Sequence, residues 1–170
     1  MNQPQKNNNR SRSGGGRNSS FRRDRPEDDF EQKIVELCRV TRVMAGGKRM
    51  RFRALVVLGD KKGKVGAGLA KGADVSLAIS KASTKARRNL ITVPMQKGTI
   101  PHEVKVKYKS ALVIMKPAKT GTGIIAGGPV RIVLEMAGVP NVVSKILGSK
   151  NKINNVRAVL SAFKSMRLAK

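Results

Sequence analysis

A chain of 170 residues allows one medium domain or two small ones, and a formal net charge of +26 is extreme for that length. Six of the ten acids stand before residue 37, so residues 37–170 set 28 Lys and Arg against four acids, a net +24. A domain so unbalanced repels itself, which implies a polyanionic partner and argues against a merely solvated surface of mixed sign. Cys38 is the only cysteine, so an intramolecular disulfide is excluded and a reducing compartment fits. With one His and one Cys, the usual His/Cys metal site cannot be assembled, and no cofactor is expected. The N-terminus has no signal-peptide apolar region, and no apolar run approaches the ~18 residues of a membrane span. A soluble, cytosolic protein with no membrane partner is the expectation. Aromatics are few and Trp is absent, which favours grip on phosphates and duplex shape over base stacking.

Met1–Pro26 is rich in Asn, Ser, Gly and Arg without a hydrophobic period, so residues 1–28 are expected to be a basic tail, disordered when free. Ile34–Met44 reads as a first strand, rich in β-branched residues, with Arg39 and Arg42 interspersed. Its imperfect alternation suggests either a bulge or two covered faces. Ala45-Gly46-Gly47-Lys48-Arg49 reads equally as an ordinary hairpin loop and as a phosphate contact. In Arg51–Leu58, Phe52, Ala54, Val56 and Leu58 share one face, while Arg51 and Arg53 point the other way. Asp60-Lys61-Lys62-Gly63 has the residues of a type I turn, leading through Lys64 to a strand with Val65, Ala67 and Leu69 on one face. Asp74 is a candidate N-cap for a helix whose stripe is Val75, Ile79, Ala82, Ala86 and Leu90. Lys81, Lys85 and Arg88, with Arg87 beside them, form a basic row on another face. The phosphate contacts are therefore expected among Arg39, Arg42, Lys48, Arg49, Arg51, Arg53, Lys61, Lys62, Lys64, Lys81, Lys85, Arg87 and Arg88.

Thr92–Glu103, with Pro94, Gly98 and Pro101, marks a boundary. The division is a first domain at 29–92, a linker at 93–102 and a second domain at 103–170. Val104, Val106 and Tyr108 alternate with lysines and lead into the apolar run Ala111–Met115, a second hairpin. A glycine-dense loop, Gly121–Gly128, then feeds a helix with Pro129 at its first position, Gly128 as N-cap and Gly138 beyond its end. That loop suits close backbone approach to RNA or to a protein neighbour. Asn141–Leu147 reads as a strand and Asn151–Leu168 as a last helix, with Ile153, Val156, Leu160 and Phe163 inward. Strands with helices gathered on one face, twice over, make an α+β fold.

Two motif matches fail. Gly59–Lys64 is one residue short of a phosphate loop, and Val65 stands where a magnesium-binding hydroxyl is needed. Gly121-x-Gly123-x-x-Ala126 lacks the acidic residue that would hold a ribose about 20 positions on. His102, after Pro101, is either solvent-facing or a phosphate donor. The acids after residue 36 are scattered and leave no acid–base pair, so an enzyme, such as an RNA-modifying one, is not expected. A basic DNA-binding architectural protein shares the charge, and preference for DNA over structured RNA would distinguish it.

RVTRVMAGGKRMRFRALVVLGDKKGKVGAGLAKGADV, KARRNLI, GTGIIAGGPVR and the spaced AGVPNVVSKILGS resemble the bacterial S-five family of small-subunit ribosomal proteins, over about Phe30–Arg167. The resemblance implies a first domain like double-stranded-RNA-binding domains, three antiparallel strands plus a helix, then a small β-β-α-β-α domain. It implies small-subunit rRNA and the ribosomal proteins S-four and S-eight as partners, mRNA near the entry channel as a further candidate, and no homo-oligomer. Through it the antibiotic-response loop, tied to spectinomycin, falls on Thr41, Arg42, Val43, Gly46, Gly47 and Lys48. Positions affecting translational accuracy, at the S-four interface, fall on Gly123 and Arg131. Ala45 departs from the family, which often has Lys there, and the long tail is not a general family feature.

Overall fold

The computed structural model describes residues 30–167, so the tail read at 1–28 lies outside the described residues. Strands β1 (Glu31–Met44) and β2 (Gly47–Gly59) pair antiparallel across a two-residue turn, Ala45-Gly46. β1 starts three residues before the expected Ile34, because β2 offers paired backbone as far as Gly59, opposite Glu31. The register slips between Ile34 and Glu36, so the broken alternation is a bulge at Val35.

β3 (Lys64–Gly72) continues the sheet, and β4 (Leu90–Thr92) adds a short fourth strand in the order β1-β2-β3-β4. Leu90 is thus no part of the helical stripe. Helix α1 (Val75–Arg88) stops at Asn89, and Leu90 pairs with Gly66 on the free edge of β3. The buried stripe of α1 is Ala78, Ala82 and Ala86, rotated from the expected one. β3 explains the rotation, since it presents Gly66, Gly68 and Gly72 to the helix and lets the two backbones touch. Val75 and Ile79 flank this contact, half-buried. Asp74 stands at the N-cap position, yet its side chain makes no capping hydrogen bond.

The turn between β2 and β3 is not type I, because Lys61 has φ 55°, where that turn needs about −60°. Asp60 holds it instead: its Oδ1 accepts from the backbone N–H of Lys62 and of Lys64, both at 2.8 Å.

The second half runs β5 (Val104–Tyr108), β6 (Ala111–Pro117), β7 (Ile124–Ile125), α2 (Gly128–Ala137), β8 (Val142–Ile146) and α3 (Lys152–Ser165). Its sheet order is β5-β6-β8-β7, with β7 parallel to β8. β7 is a two-residue strand inside the glycine-dense loop, unforeseen because so short a strand exists only by borrowing the edge of β8. The N-cap of α2 is Gly127, not Gly128, which moves Pro129 and Arg131 one position deeper into the helix. Gly138 closes α2 in the left-handed region, φ 77°. Asn151 caps α3, accepting from the Ile153 N–H at 3.0 Å.

The fold is α+β, and one core joins its halves. On the first sheet Ala54, Val56 and Leu58 face α1, while Leu55, Val57 and Val65 enter the cluster built by α2, α3 and the second sheet. β2 is therefore covered on both faces. Each such Val or Leu side chain contributes about 1.5–3 kcal/mol by leaving water. Val93 and Ile100, between the halves, are buried in that cluster too. A polar seam reinforces it. The N–H of Lys61 donates to Met136 O at 3.1 Å and that of Gly63 to Ala137 O at 3.0 Å, so the β2–β3 turn closes the C-terminal end of α2.

Candidate nucleic-acid interface

The β1–β2 hairpin reaches beyond the body, and every residue from Thr41 to Arg51 is exposed. Strand register decides which cations meet. Arg42 stands directly opposite Arg49, Val40 opposite Arg51, Cys38 opposite Arg53, and Arg53 opposite Lys71 on β3. Cross-strand partners share a face, so Arg42, Arg49, Arg51, Arg53 and Lys71 form one ladder. Val40, Thr41, Arg42, Met44, Arg49, Arg51 and Lys71 line a shallow hollow of about 340 Å³ there, with no carboxylate among them. Arg39 and Lys48 lie on the opposite face of the hairpin. Lys71 was absent from the expected set; its signal was register, for the β2–β3 turn fixes it opposite Arg53.

The expected cations therefore divide among three places. The hairpin holds the first group. Lys81, Lys85, Arg87 and Arg88 lie on α1, all exposed, with Lys85 and Arg88 at the end of the helix that shares a groove with α3. Lys61, Lys62 and Lys64 sit at the other end of β2, about 40 Å from the hairpin tip at roughly 3.3 Å per residue. That turn is docked on α2 through its backbone, and Lys61 already pairs with Glu31 at 2.5 Å.

Among the described residues one carboxylate, Glu36, reaches the ladder, at Arg53, and the others are occupied elsewhere. Glu36 receives Arg53 at 3.5 Å and Lys152 at 3.7 Å, tying β1 to α3. Glu103 pairs with Lys116, Asp60 holds its turn, and Asp74 begins α1. Thr41–Arg51 contains four cations and no acid. Like charges set directly opposite are unfavourable in a sheet, so the Arg42–Arg49 arrangement suits an anion from outside.

The resemblance-derived loop residues Thr41, Arg42, Val43, Gly46, Gly47 and Lys48 are the tip of this hairpin. Both glycines of the tip have open space around them, but Gly47 has φ 130°, a backbone only glycine takes readily. Val43 is 74% exposed, with Met44 and Met50 beside it, giving the tip an apolar edge.

Gly123 and Arg131 lie in the other half. The buried Asn141 shapes the loop before β7: its Oδ1 accepts from the N–H of Gly121 at 3.0 Å and of Gly123 at 3.1 Å, and its Nδ2 donates to Gly98 O at 3.4 Å. Arg131 is exposed on α2 and donates from Nε to Glu135 Oε1 at 2.8 Å. The other oxygen of Glu135 accepts from Lys33 Nζ on β1 at 2.8 Å, a partner 102 positions away. The Arg131–Glu135 pair, one turn apart on α2, is thus one side of a three-residue bridge between the halves.

The Lys33 hydrogen bond, then that from Arg131, holds the Glu135 carboxyl below its ordinary 4.5, against a smaller opposing effect of burial. A lowered folded value means the carboxylate stabilises the protein fully above its unfolded value. That contribution is lost as pH falls below the usual carboxylate range and through the lowered folded value. Glu135→Gln should therefore flatten the acid limb of a stability-versus-pH curve, measured by denaturant midpoints. Parallel acid limbs for variant and wild type would remove the bridge from the stability of the fold.

Among the described residues no cluster of His, Cys, Asp or Glu could hold a metal ion, and no helix is long and apolar enough to cross a membrane. The family model described as "Ribosomal protein S5, N-terminal domain" matches residues 30–94, and that for "Ribosomal protein S5, C-terminal domain" matches residues 106–170. The Thermus thermophilus small ribosomal subunit protein uS5 is 49% identical over 142 residues, covering 84% of this chain and 88% of the relative. The chain belongs to the uS5 family. The Treponema pallidum uS5 is 49% identical over 147 residues, 86% of each chain. The spinach small ribosomal subunit protein uS5c is 52% identical over 153 residues, 89% of this chain, which spans only 50% of that longer relative. Within the uS5 frame, the hairpin and α1 belong to the N-terminal domain, and Gly123 and Arg131 to the C-terminal one.

Proposed function

We propose that this chain is a structural, non-catalytic constituent of the small ribosomal subunit in the bacterial cytoplasm. It grips small-subunit rRNA by phosphate contacts, steadies the head relative to the body, and affects translational accuracy at an interface with S-four. The observation that carries the RNA reading is the outer part of the ladder, free of described carboxylates: Arg42, Arg49 and Arg51 on a hairpin standing clear of the body, with Lys71 of β3 beside them. In this reading residues 29–92 are the RNA-gripping half, 93–102 the connection, and 103–170 the half that meets S-four and S-eight. The Thr41–Lys48 tip is the segment through which spectinomycin response is altered, and mRNA near the entry channel is a further partner.

Arg131 engages Glu135 through Nε alone, and its side chain is 59% exposed, which favours a second contact outside its helix. If only the open subunit holds that contact, weakening it by about 1.4 kcal/mol shifts the open–closed balance about tenfold toward closure, for near-cognate tRNA as well. Arg131→Leu is expected to raise misincorporation while the protein still sediments wholly with small subunits. Wild-type error at full occupancy would remove Arg131 from the accuracy reading. Wild-type protein remaining outside small subunits in a lysate would sink the ribosomal one.

A further inference from the structure

Where the last turn of α1 approaches α3, a groove of about 540 Å³ runs between the two halves of the molecule. Lys85 and Arg88 stand on its α1 side, Arg157 and Lys164 on its α3 side, and among the described residues no carboxylate lines it. Its floor is apolar, from Leu69 and Leu160 among others. Arg157 and Lys164 are seven positions apart on α3, two turns along one face, or about 10.5 Å. The Arg157 guanidinium is oriented: Nη1 donates to the Tyr108 hydroxyl at 3.3 Å, and its carbon lies 6.0 Å from the ring centroid. Lys85 Nζ makes one long contact, 3.3 Å, to the Leu69 carbonyl. Glu36, the carboxylate that reaches α3, meets it at Lys152, the opposite end of the helix from Lys164.

We propose that this groove is a second RNA seat, distinct from the hairpin ladder, in which one RNA strand is held by phosphate contacts from both halves at once. The proposal rests on the RNA-binding reading above and adds Arg157 and Lys164 to its residues. Two guanidinium forks and two ammonium groups match phosphate oxygens, and an apolar floor beside Tyr108 accepts ribose and base faces. An acidic protein segment would satisfy the charge alone; the aromatic wall and the apolar floor favour a nucleotide chain. Held there, RNA bridges α1 to α3 and so fastens the two halves to each other.

The experiment titrates the full chain with protein-free small-subunit rRNA between 50 and 200 mM salt. Wild type is compared with Arg157→Ala/Lys164→Ala and with Arg42→Ala/Arg49→Ala. Losing two phosphate contacts should make the log–log salt slope of the α3 variant shallower by roughly 1.4–1.8 units, so that its affinity loss over this fourfold change is about tenfold smaller than wild type's. Arg157 and Lys164 are exposed, so the melting temperature should be unchanged, and Arg157→Lys should retain most of the wild-type slope. A wild-type slope in the α3 variant, with a shallower one in the hairpin variant, would overturn the groove and leave the RNA reading standing. A wild-type slope combined with poor assembly into subunits would hand the groove to an acidic protein and also overturn the proposal. Absence of salt-dependent rRNA binding by wild type would overturn the underlying reading itself.

Discussion

Gly68→Val is expected to lower the melting temperature by roughly 6–12 °C, or to leave no cooperative transition at all. A Cβ at Gly68 would collide with the carbonyl oxygen of Ala82 and stand 2.7 Å from the Ala86 nitrogen. Both obstacles are helix backbone, which cannot rotate aside as a side chain does, so α1 as a whole must lift from β3. Ordinary overpacking costs about 1–3 kcal/mol, and displacing a helix lies at or beyond the top of that range. That is a large share of a total stability of about 5–15 kcal/mol. Lifting α1 would also expose Ala78, Ala82 and Ala86 and displace the Lys81–Arg88 row. Gly46→Ala is the control, since nothing lies within 4 Å of a Cβ there. A Gly68→Val protein that melts with the control would show that the close helix–strand contact does not hold the domain together.

Arg42→Ala/Arg49→Ala should separate function from stability in opposite directions. The two arginines face each other across the β1–β2 ladder with no acid nearby among the described residues, an arrangement that costs roughly 0.2–1 kcal/mol in a sheet. Removing them should therefore leave the free protein equally stable or slightly more so. Binding to small-subunit rRNA should weaken by about 30-fold at moderate salt, taking roughly 1 kcal/mol per exposed charged contact. The paired readout is a melting curve of the free protein and an affinity for rRNA. Loss of stability would mark the arginines as part of the fold; unchanged affinity would mark the hairpin as a solvated protrusion.

What the sequence made legible was local. The alternation of Phe52, Ala54, Val56 and Leu58 named one face of β2, and the spacing along α1 named a helix. Leu55 and Val57 were invisible as core residues because the surface covering them comes from α2, α3 and the second sheet, far along the chain. The register of the α1 stripe was missed for a related reason: glycine contributes nothing to a hydrophobic pattern, yet Gly66, Gly68 and Gly72 decide which face of the helix touches β3. The charge excess was plain in composition, but its division among hairpin, helix and turn depends on strand lengths. Arg131–Glu135 is a spacing of four and readable at once. Lys33, which completes that bridge, is joined to it only by the packing of β1 against α2.

The docking of the β2–β3 turn on the end of α2 gives the molecule a mechanical property. β2 is fixed at one end to the helix that carries Arg131, and its other end is the cationic tip, up to about 40 Å away at strand rise. Gly59 and Gly138 seat the fixed end with no room for a side chain, so the joint has little play. A rotation of α2 by one degree therefore sweeps the tip through up to about 0.7 Å over that length. Whatever tilts α2 tilts the tip with it.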